Sequence, residues 1–425
     1  RPIEVTAIVF EACERRLVLS AQLMYDVLGD QALELHGGVS IAPHVESIPI
    51  ISHLQEAHAA TGWDTVQQQF GLTGKGQTVA VIDSGIAWDH VALGQGFGSG
   101  YRVVGGWDFT EENDANPYDD GPMGFHGTHV AGIIGSDDPN HSGVAPGVDL
   151  VALRVFNDAG QGQLSWVERA LQWVHDNRNS FENPITTVNL SLGTVWNSNV
   201  VPAWATLEDE FQTLFGDGIV VTASAGNSFQ DYLTPGVSYP AASPYVLPVA
   251  SVDDDGRLSD FSQRDHQIIA APGRNIVSTV PDYVFGRDGK IDDFAAASGT
   301  SMAAPYVAGA SVLVRQAMEM IGDTGINLTS IAGHLRDTAD SIYDAVTGQT
   351  YDRLNLERAI DTLIPRDNVG DTFQSSAQFD LATSHGLDGW VNTLGDRDVY
   401  HFTPASNGSL HIDADSSWLD TLQWS

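Results

Sequence analysis

Cysteine is almost missing from this chain, which has one cysteine among its 425 residues. That single cysteine, Cys13, excludes any intrachain disulfide, so stability has to come from packing and, as a further source, from metal ions. Basic residues are scarce too: 19 Lys and Arg stand against 55 Asp and Glu, for a net charge of -36. Because such a surface repels phosphate groups, we expect neither nucleic acid nor anionic membrane surfaces as partners.

Long hydrophobic runs are missing as well, because no apolar run approaches the roughly 18 residues that a membrane span needs. The length exceeds the roughly 250–300 residues at which single cores stop growing, so we expect one large domain and an additional part. The chain starts at Arg1 without a Met or a recognisable signal peptide, and we interpret it as a piece of a longer protein.

A repeating pattern of strands and helices begins at Thr78. Short β-branched runs, each typical of a buried parallel strand, read TVAVID, DLVALRVF, TTVNLSL, GIVVTASAG and YVLPVASV. Helical patterns between them include LSWVERALQWVHDN and PAWATLEDEFQTLFGDG. This alternation predicts an α/β fold of three layers, with a central, mainly parallel sheet flanked by helices. In such folds, sites collect at the carboxyl ends of the strands.

Three segments of this pattern carry reactive side chains. Asp83 ends the strand of AVIDSGI, His126 begins a helix of small residues in GFHGTHVAGI, and Ser301 does the same in SGTSMAAP. An acyl-transfer enzyme needs this set: a hydroxyl nucleophile, an imidazole to take its proton, and a carboxylate to orient the imidazole. Taken singly, Asp83 and Ser301 are equally typical of helix or turn caps, and His126 of a structural histidine. His129 competes with His126 one helical turn further on.

Together, VAVIDSGI, HGTHVAGI and SGTSMAAPYVAG resemble the three signature segments of the subtilisin-like serine protease (subtilase) family, over roughly residues 61–364. The resemblance implies a subtilisin-like fold and a serine endopeptidase that cleaves polypeptide substrates, with Asp83, His126 and Ser301 as the catalytic triad and no cofactor for catalysis. SAGNS resembles the family's oxyanion segment, which implies Asn227 as the side-chain donor beside the backbone N–H of Ser301.

Two further segments, DAGQGQLSW and NLSLG, resemble the family's edges that pair with an extended substrate. The resemblance also implies a primary pocket lined by Ser224, Ala225, Gly226 and the SYPAA stretch, including Ser238. None of the implied residues is charged, so we expect a broad preference for neutral or apolar side chains. Ordinary loop packing is the alternative for each of them. They are Gly160, Gln161, Gly162, Leu164, Ser191, Leu192, Gly193, Ser224, Ala225 and Gly226.

An acidic stretch, GWDFTEENDANPYDDG, resembles a calcium loop found in some family members before the histidine motif. Carboxylate and amide oxygens are the hard ligands that calcium prefers. A structural calcium ion is therefore one interpretation, and a solvated acidic loop is the other. The candidate ligands are Asp108, Asp114, Asn116 and Asp119.

Four regions are predicted along the chain. Residues 1–60 form an N-terminal extension, in which FEACERRLVLSA resembles an export-associated bacterial motif and the remainder is either a propeptide remnant or a plain extension. Residues 61–364 form the catalytic domain and residues 365–370 a linker. Residues 371–425 show short alternating strands and resemble part of a bacterial pre-peptidase C-terminal β domain. We therefore expect a monomer that is secreted or held at the cell surface.

Two rival hypotheses remain open at this point. One is a catalytically inactive fold used for binding, against which the complete set of reactive residues argues. The other is a protease that processes one particular surface protein.

Overall fold

A computed structural model gives the fold and describes residues 53–121, 124–364, 377–379 and 399–402. The strands are β1 (Thr78–Asp83), β2 (Val103–Asp108), β3 (Asp149–Arg154), β4 (Ile185–Leu190), β5 (Val220–Ser224), β6 (Leu247–Val252), β7 (Ile269–Pro272), β8 (Ile276–Thr279), β9 (Phe294–Ala297), β10 (Asp340–Asp344), β11 (Gln349–Arg353), β12 (Ala377–Phe379) and β13 (Tyr400–Phe402). The helices are α1 (His53–Thr61), α2 (Trp63–Phe70), α3 (His126–Gly135), α4 (Leu164–Asn177), α5 (Glu208–Gly216), α6 (Phe229–Tyr232), α7 (Thr300–Met320), α8 (Leu328–Asp337) and α9 (Leu356–Asp361), with a short 3-10 helix at Val91–Leu93.

One 9-stranded sheet organises the molecule, in the order β10-β11-β7-β6-β5-β4-β1-β3-β2. The neighbours from β11 to β2 are parallel, and β10 pairs with β11 in the antiparallel direction. The predicted α/β fold with a central, mainly parallel sheet is therefore confirmed. Since parallel strands end at the same edge, the carboxyl ends of β1, β4 and β5 lie side by side.

Both faces of the sheet are covered, which explains why β1, β4, β5, β6 and β7 are buried along their whole length. In β1, Val79 and Val81 belong to one buried cluster, together with residues of α3 and α7. Ala80 and Ile82 belong to a second cluster on the other face, together with residues of α4 and α5. Each fully buried Val or Ile side chain contributes about 1.5–3 kcal/mol, so the two clusters hold the strand ends in fixed positions.

The predicted elements agree with this structure for the most part. The five β-branched runs form β1, β3, β4, β5 and β6, and LSWVERALQWVHDN forms α4. The other helical pattern forms a helix only over Glu208–Gly216. Pro202 begins a turn in which its carbonyl accepts from the N–H of Ala205, and the helix starts where three acidic residues favour its N-terminus.

The ends of the chain are largely outside the described residues. This holds for the predicted extension up to residue 52, for the linker at 365–370, and for the C-terminal module apart from β12 and β13 and residue 399. These two strands pair in parallel. The proposed domain boundaries stay predictions.

Candidate active site

The predicted catalytic residues gather where three neighbouring strands end. Asp83 is the last residue of β1, Ser191 directly follows β4, and Asn227 lies just beyond β5. Ser301, in the first turn of α7, is tied to the same edge, because its hydroxyl donates to the carbonyl of Ser191 at 3.3 Å. In return, the Ser191 hydroxyl donates to the Ser301 carbonyl at 2.8 Å.

His126 and Asp83 form a buried pair. The Nδ1 atom of His126 lies 2.7 Å from Oδ1 of Asp83, and the two residues are 2% and 0% exposed. The same carboxylate oxygen also accepts from the N–H of Ser84 at 2.8 Å. Contact with a carboxylate assigns the proton to Nδ1, so Nε2 is the nitrogen that can accept one. This is the arrangement of a general base whose cationic form is stabilised.

The carbonyl of Ser301 is available to Ser191 because of a proline in the motif. Pro305 lies four residues after Ser301 inside α7, and proline has no N–H to donate to the carbonyl four residues before it. The Ser191 hydroxyl takes that place. The sequence SGTSMAAP thus fastens the first turn of α7 to the end of β4.

Asn227 is oriented by the residue before Ser301. Its Oδ1 accepts from the backbone N–H of Thr300 at 2.8 Å and from the Thr300 hydroxyl at 2.9 Å. A backbone N–H only donates, so this contact assigns the oxygen of the amide and leaves its NH₂ group as a donor. The start of α7 adds partial positive charge nearby. Sequence analysis did not assign this role to Thr300, whose only signal was its position beside Ser301.

His129 has different surroundings although it lies one turn from His126. Its Nε2 is 3.0 Å from the carbonyl oxygens of Ile276 and Ala295. Burial lowers the pKa of His129 to about 4, and the nearby His126 lowers it further. The hydrogen bonds to the two carbonyls raise this pKa but do not outweigh burial. This imidazole is therefore kept neutral and joins α3 to β8 and β9.

Asp119 lies behind the His126–Asp83 pair and is fully buried. It accepts hydrogen bonds from the Ser84 hydroxyl at 2.8 Å and from the N–H and hydroxyl of Thr128 at 2.9 and 2.5 Å. Burial raises the pKa of Asp119 to about 7, while these hydrogen bonds lower it and the charge of Asp83 raises it. The sequence suggested Asp119 either as a calcium ligand or as part of a solvated acidic loop, and neither interpretation predicts these contacts.

The candidate calcium ligands are engaged by other protein groups. Among the residues that the structure describes, no three His, Cys, Asp or Glu side chains lie where they could together hold a metal ion. Asp108 accepts from the N–H of Thr110 at 2.7 Å and pairs with Arg154 at 3.3 Å. Asp114 accepts from the N–H of Asn116 at 2.8 Å. This set does not fit an ion that takes about 6–8 oxygen ligands, and calcium binding stays a prediction.

Arg154, which the sequence did not single out, holds the first predicted substrate edge. It ends β3 opposite Asp83, and its side chain pairs with Asp120 at 2.7 Å and Asp158 at 2.5 Å. Asp158 lies in the loop that leads to the predicted residues.

Within this loop, Asn157 accepts from the backbone N–H groups of the residues that follow, which are Ala159, Gly160 and Gln161. Gly162 forms an isolated β-bridge with Phe156. Leu164 is the first residue of α4.

The second substrate edge and the predicted primary pocket are brought together. The Ser224 hydroxyl donates to the Leu192 carbonyl at 3.2 Å, and the Ser238 hydroxyl donates to the Ser224 carbonyl at 3.1 Å. A Cβ at Gly193 would lie 2.7 Å from the Ser238 hydroxyl, so glycine keeps this approach open. Ala225 and Gly226 continue from β5 toward Asn227. The binding roles of these residues stay predictions.

Comparison with known proteins gives the family. The Subtilase family model matches residues 74–370. The chain belongs to the subtilase family. It is 37% identical over 249 residues to Subtilisin E of Bacillus subtilis (strain 168), covering 57% of this chain and 56% of that protein. The chain thus spans about half the length of this relative.

Other subtilases match over more of their own length. Subtilisin DY of Bacillus licheniformis is 32% identical over 280 residues, covering 65% of this chain and 90% of that protein. The Intracellular serine protease of Paenibacillus polymyxa is 33% identical over 247 residues, covering 57% and 68%. A solved structure, of a cold adapted subtilisin-like serine proteinase, superposes with a TM-score of 0.52 at 30% identity, covering 67% of this chain and 90% of that one. Within the described part of this subtilase, no helix has the length and apolar character to cross a bilayer.

Proposed function

We propose that this subtilase is a serine endopeptidase that hydrolyses peptide bonds through an acyl-enzyme. The observation that carries the proposal is the buried His126–Asp83 pair, with Nδ1 and Oδ1 at 2.7 Å, at the strand edge that also holds Ser301. Family membership supports the same reaction, since the relatives that match include subtilisins and a serine protease.

In the proposed reaction, the Ser301 hydroxyl oxygen attacks the scissile carbonyl carbon while Nε2 of His126 takes the hydroxyl proton. The carbonyl π pair moves to its oxygen, which accepts hydrogen bonds from the Asn227 NH₂ group and the Ser301 N–H. The C–N bond then breaks, and His126 gives the proton to the leaving amine. Water repeats the sequence on the acyl-enzyme and releases the acid, while the Asp83 carboxylate stabilises each imidazolium.

The proposed specificity is broad and favours apolar side chains. The residues assigned to the primary pocket, from Ser224 to Gly226 together with Ser238, carry no charge. Backbone groups of residues 160–162 and 191–193 would pair with an extended substrate whatever its side chains. A charged residue before the scissile bond would find no partner in this set.

Export and a monomeric state also belong to the proposal. Export is supported by the resemblance of FEACERRLVLSA to an export-associated motif, which lies outside the described residues. Since one relative is named an intracellular serine protease, the compartment needs its own test. Detection of the protein in the culture medium of its host supports export, and confinement to the cell lysate contradicts it. Light scattering of the purified chain gives the oligomeric state.

The activity is tested on casein and on a library of quenched peptides. We expect cleavage of casein, inhibition by a fluorophosphonate, and a loose apolar preference at the residue before the cut. The matched control is Ser301→Ala, which is expected to be folded and inactive. Equal activity in Ser301→Ala, or cleavage that the reagent leaves intact, contradicts the mechanism. A folded wild type that cleaves nothing and resists labelling indicates the inactive binding fold, and one dominant cleavage motif indicates a narrow processing enzyme.

A further inference from the structure

The helix that carries His126 begins without a cap of its own. Phe125, the residue before α3, has a side chain that makes no capping hydrogen bond. The first backbone N–H groups of a helix have no partner within the helix. Here the Gly127 N–H donates to the Ser84 hydroxyl at 2.9 Å, and the Thr128 N–H donates to Asp119 at 2.9 Å. Groups from outside the helix therefore satisfy its first turn.

Both of these capping contacts lead to one carboxylate. The Ser84 hydroxyl, which accepts from Gly127, donates to Oδ1 of Asp119 at 2.8 Å. The Thr128 hydroxyl accepts from the Ala87 N–H at 2.9 Å and donates to Oδ2 of Asp119 at 2.5 Å. Consecutive hydrogen bonds of this kind polarise and strengthen one another when they are buried. Asp119 is thus the common acceptor for the segment after β1 and for the start of α3.

These two segments carry the two members of the catalytic pair. Ser84 follows Asp83 in the chain, and its N–H donates to the same oxygen that contacts His126. The segments also meet closely, because a Cβ at Gly127 would lie 2.1 Å from the carbonyl oxygen of Gly85. A small rotation of the first turn of α3 would therefore swing the imidazole away from Asp83.

The loop that carries Asp119 is itself held in place. The Tyr283 hydroxyl lies 2.7 Å from the carbonyl oxygens of both Asp119 and Gly124. The backbone of Asp119 itself and that of Gly124, which lies between Asp119 and His126, are thus both fixed to a separate part of the chain. Asp119 has the rigid support that a positioning role requires.

We propose that Asp119 is a positioning residue for the His126–Asp83 pair: its carboxylate fastens the first turn of α3 to the end of β1 and so sets the orientation of the imidazole. The inference rests on the proposed serine endopeptidase reaction. It gives Asp119 a role in catalysis without contact to substrate, in place of the calcium role considered from the sequence.

The test measures kcat and KM of Asp119→Asn on a quenched peptide, per active site titrated with a fluorophosphonate. A misplacement of about 1 Å costs about 10²-fold, so we expect kcat to fall roughly 10- to 100-fold, with KM within about twofold. The matched control is Asp137→Asn, the same change at a carboxylate just beyond the other end of α3. Asp137 pairs with Arg102 at 3.5 Å and its side chain is 49% exposed, and its variant is expected to keep kcat within about twofold.

A second background separates positioning from a general loss of structure. In His126→Ala, residual catalysis is expected at about 10³- to 10⁴-fold over water, which an activated ester makes measurable. If Asp119 acts through His126, adding Asp119→Asn to this background changes nothing further. An equal loss in the two backgrounds, or kcat of folded Asp119→Asn equal to that of Asp137→Asn, overturns the inference.

Ser84→Ala decides the matter if Asp119→Asn does not fold. It removes the link from Asp119 to Gly127 and keeps both contacts to Thr128. We expect a smaller loss of kcat in the same direction, again absent in His126→Ala; an unchanged kcat overturns the inference. If the wild type has no hydrolytic activity, the proposed function itself is contradicted. If the wild type is active and neither Asp119→Asn nor Ser84→Ala changes kcat, only the role of Asp119 is contradicted.

Discussion

Two histidines one helical turn apart in HGTH have opposite surroundings. His126 faces a carboxylate, with Nδ1 at 2.7 Å from Asp83. His129 faces two backbone carbonyls, and burial lowers its pKa to about 4. A carboxylate stabilises an imidazolium. At His129, the two carbonyls do not offset the unfavourable free energy of burying a charged ring. Of the two rings, the His126 ring is therefore the one suited to take a proton. The neighbouring group, not the residue type, separates a base from a structural histidine.

The largest expected effect compares alanine at the two positions. His126→Ala is expected to lower kcat by about 10⁶, the loss that removal of this residue causes in subtilisin, a member of the family. His129→Ala is expected to keep kcat within about tenfold and to lower the unfolding free energy by about 1–3 kcal/mol, because two buried carbonyls lose their donor. Active-site-titrated kinetics and thermal unfolding measure both. A similar loss of kcat in the two variants would show that the two imidazoles do not differ in their role in catalysis.

The next effect concerns Asp83, the carboxylate that contacts His126 and has no counterpart beside His129 among the contacts described above. Asp83→Asn is expected to lower kcat by about 10⁴, because an amide favours the wrong tautomer of His126. The control is Asp138→Asn, which alters a second His–Asp pair, with His141 at 3.0 Å and both side chains partly exposed. Steady-state kinetics is expected to show no change in that control. A loss confined to KM in Asp83→Asn would argue against the tautomer explanation.

A smaller effect is expected at Asn227, whose amide oxygen accepts from the N–H and the hydroxyl of Thr300. Asn227→Ala is expected to lower kcat by about 10²–10³, the range found when the corresponding donor is removed from subtilisin. Thr300→Ala removes one of the two contacts that orient the amide and is expected to cost less than about tenfold. If the two variants lose equal activity, Asn227 acts by holding the start of α7 and not as a donor to the oxyanion.

The smallest expected effect is on stability in acid. The folded pKa of His129 is about 4, below the unfolded value near 6.5. Its contribution is therefore complete above pH 6.5 and is lost as the pH falls toward 4, by up to about 3 kcal/mol. Burial also lowers the pKa of His58 to about 4, so the wild type loses two such contributions. The free energy of unfolding is expected to differ less between pH 7 and pH 4.5 in His129→Ala than in the wild type. An equal difference in the two proteins would contradict the lowered pKa of His129.

Much of the fold and of the predicted catalytic set was accessible from the sequence. The strands are short apolar runs with polar residues or turns at their ends. Asp83, His126 and Ser301 lie in motifs whose surrounding residues are specific to the family they resemble. The surroundings of His129 were not accessible, because its partners are 147 and 166 residues away. The pattern of one helix does not show which strands its other face contacts.

Asp119 and Arg154 show the same limit for charged residues. Acidic composition suggested oxygen ligands for calcium, yet the contacts of Asp119 come from the segment after β1 and from α3. Arg154 is buried among carboxylates of two loops, 34 residues before it and 4 residues after it. Which carboxylate meets a cation and which meets helix N–H groups depends on loop paths that the sequence pattern does not encode.

We propose that His126, and not His129, activates Ser301. The direct measurement is the second-order rate of fluorophosphonate labelling, with the labelled peptide identified by mass spectrometry. We predict that wild type and His129→Ala label at Ser301 with rates within about tenfold, and that His126→Ala labels about 10²–10⁴-fold more slowly. Equal rates in wild type and His126→Ala, or a label on another residue, would contradict the role of His126 as the base for Ser301.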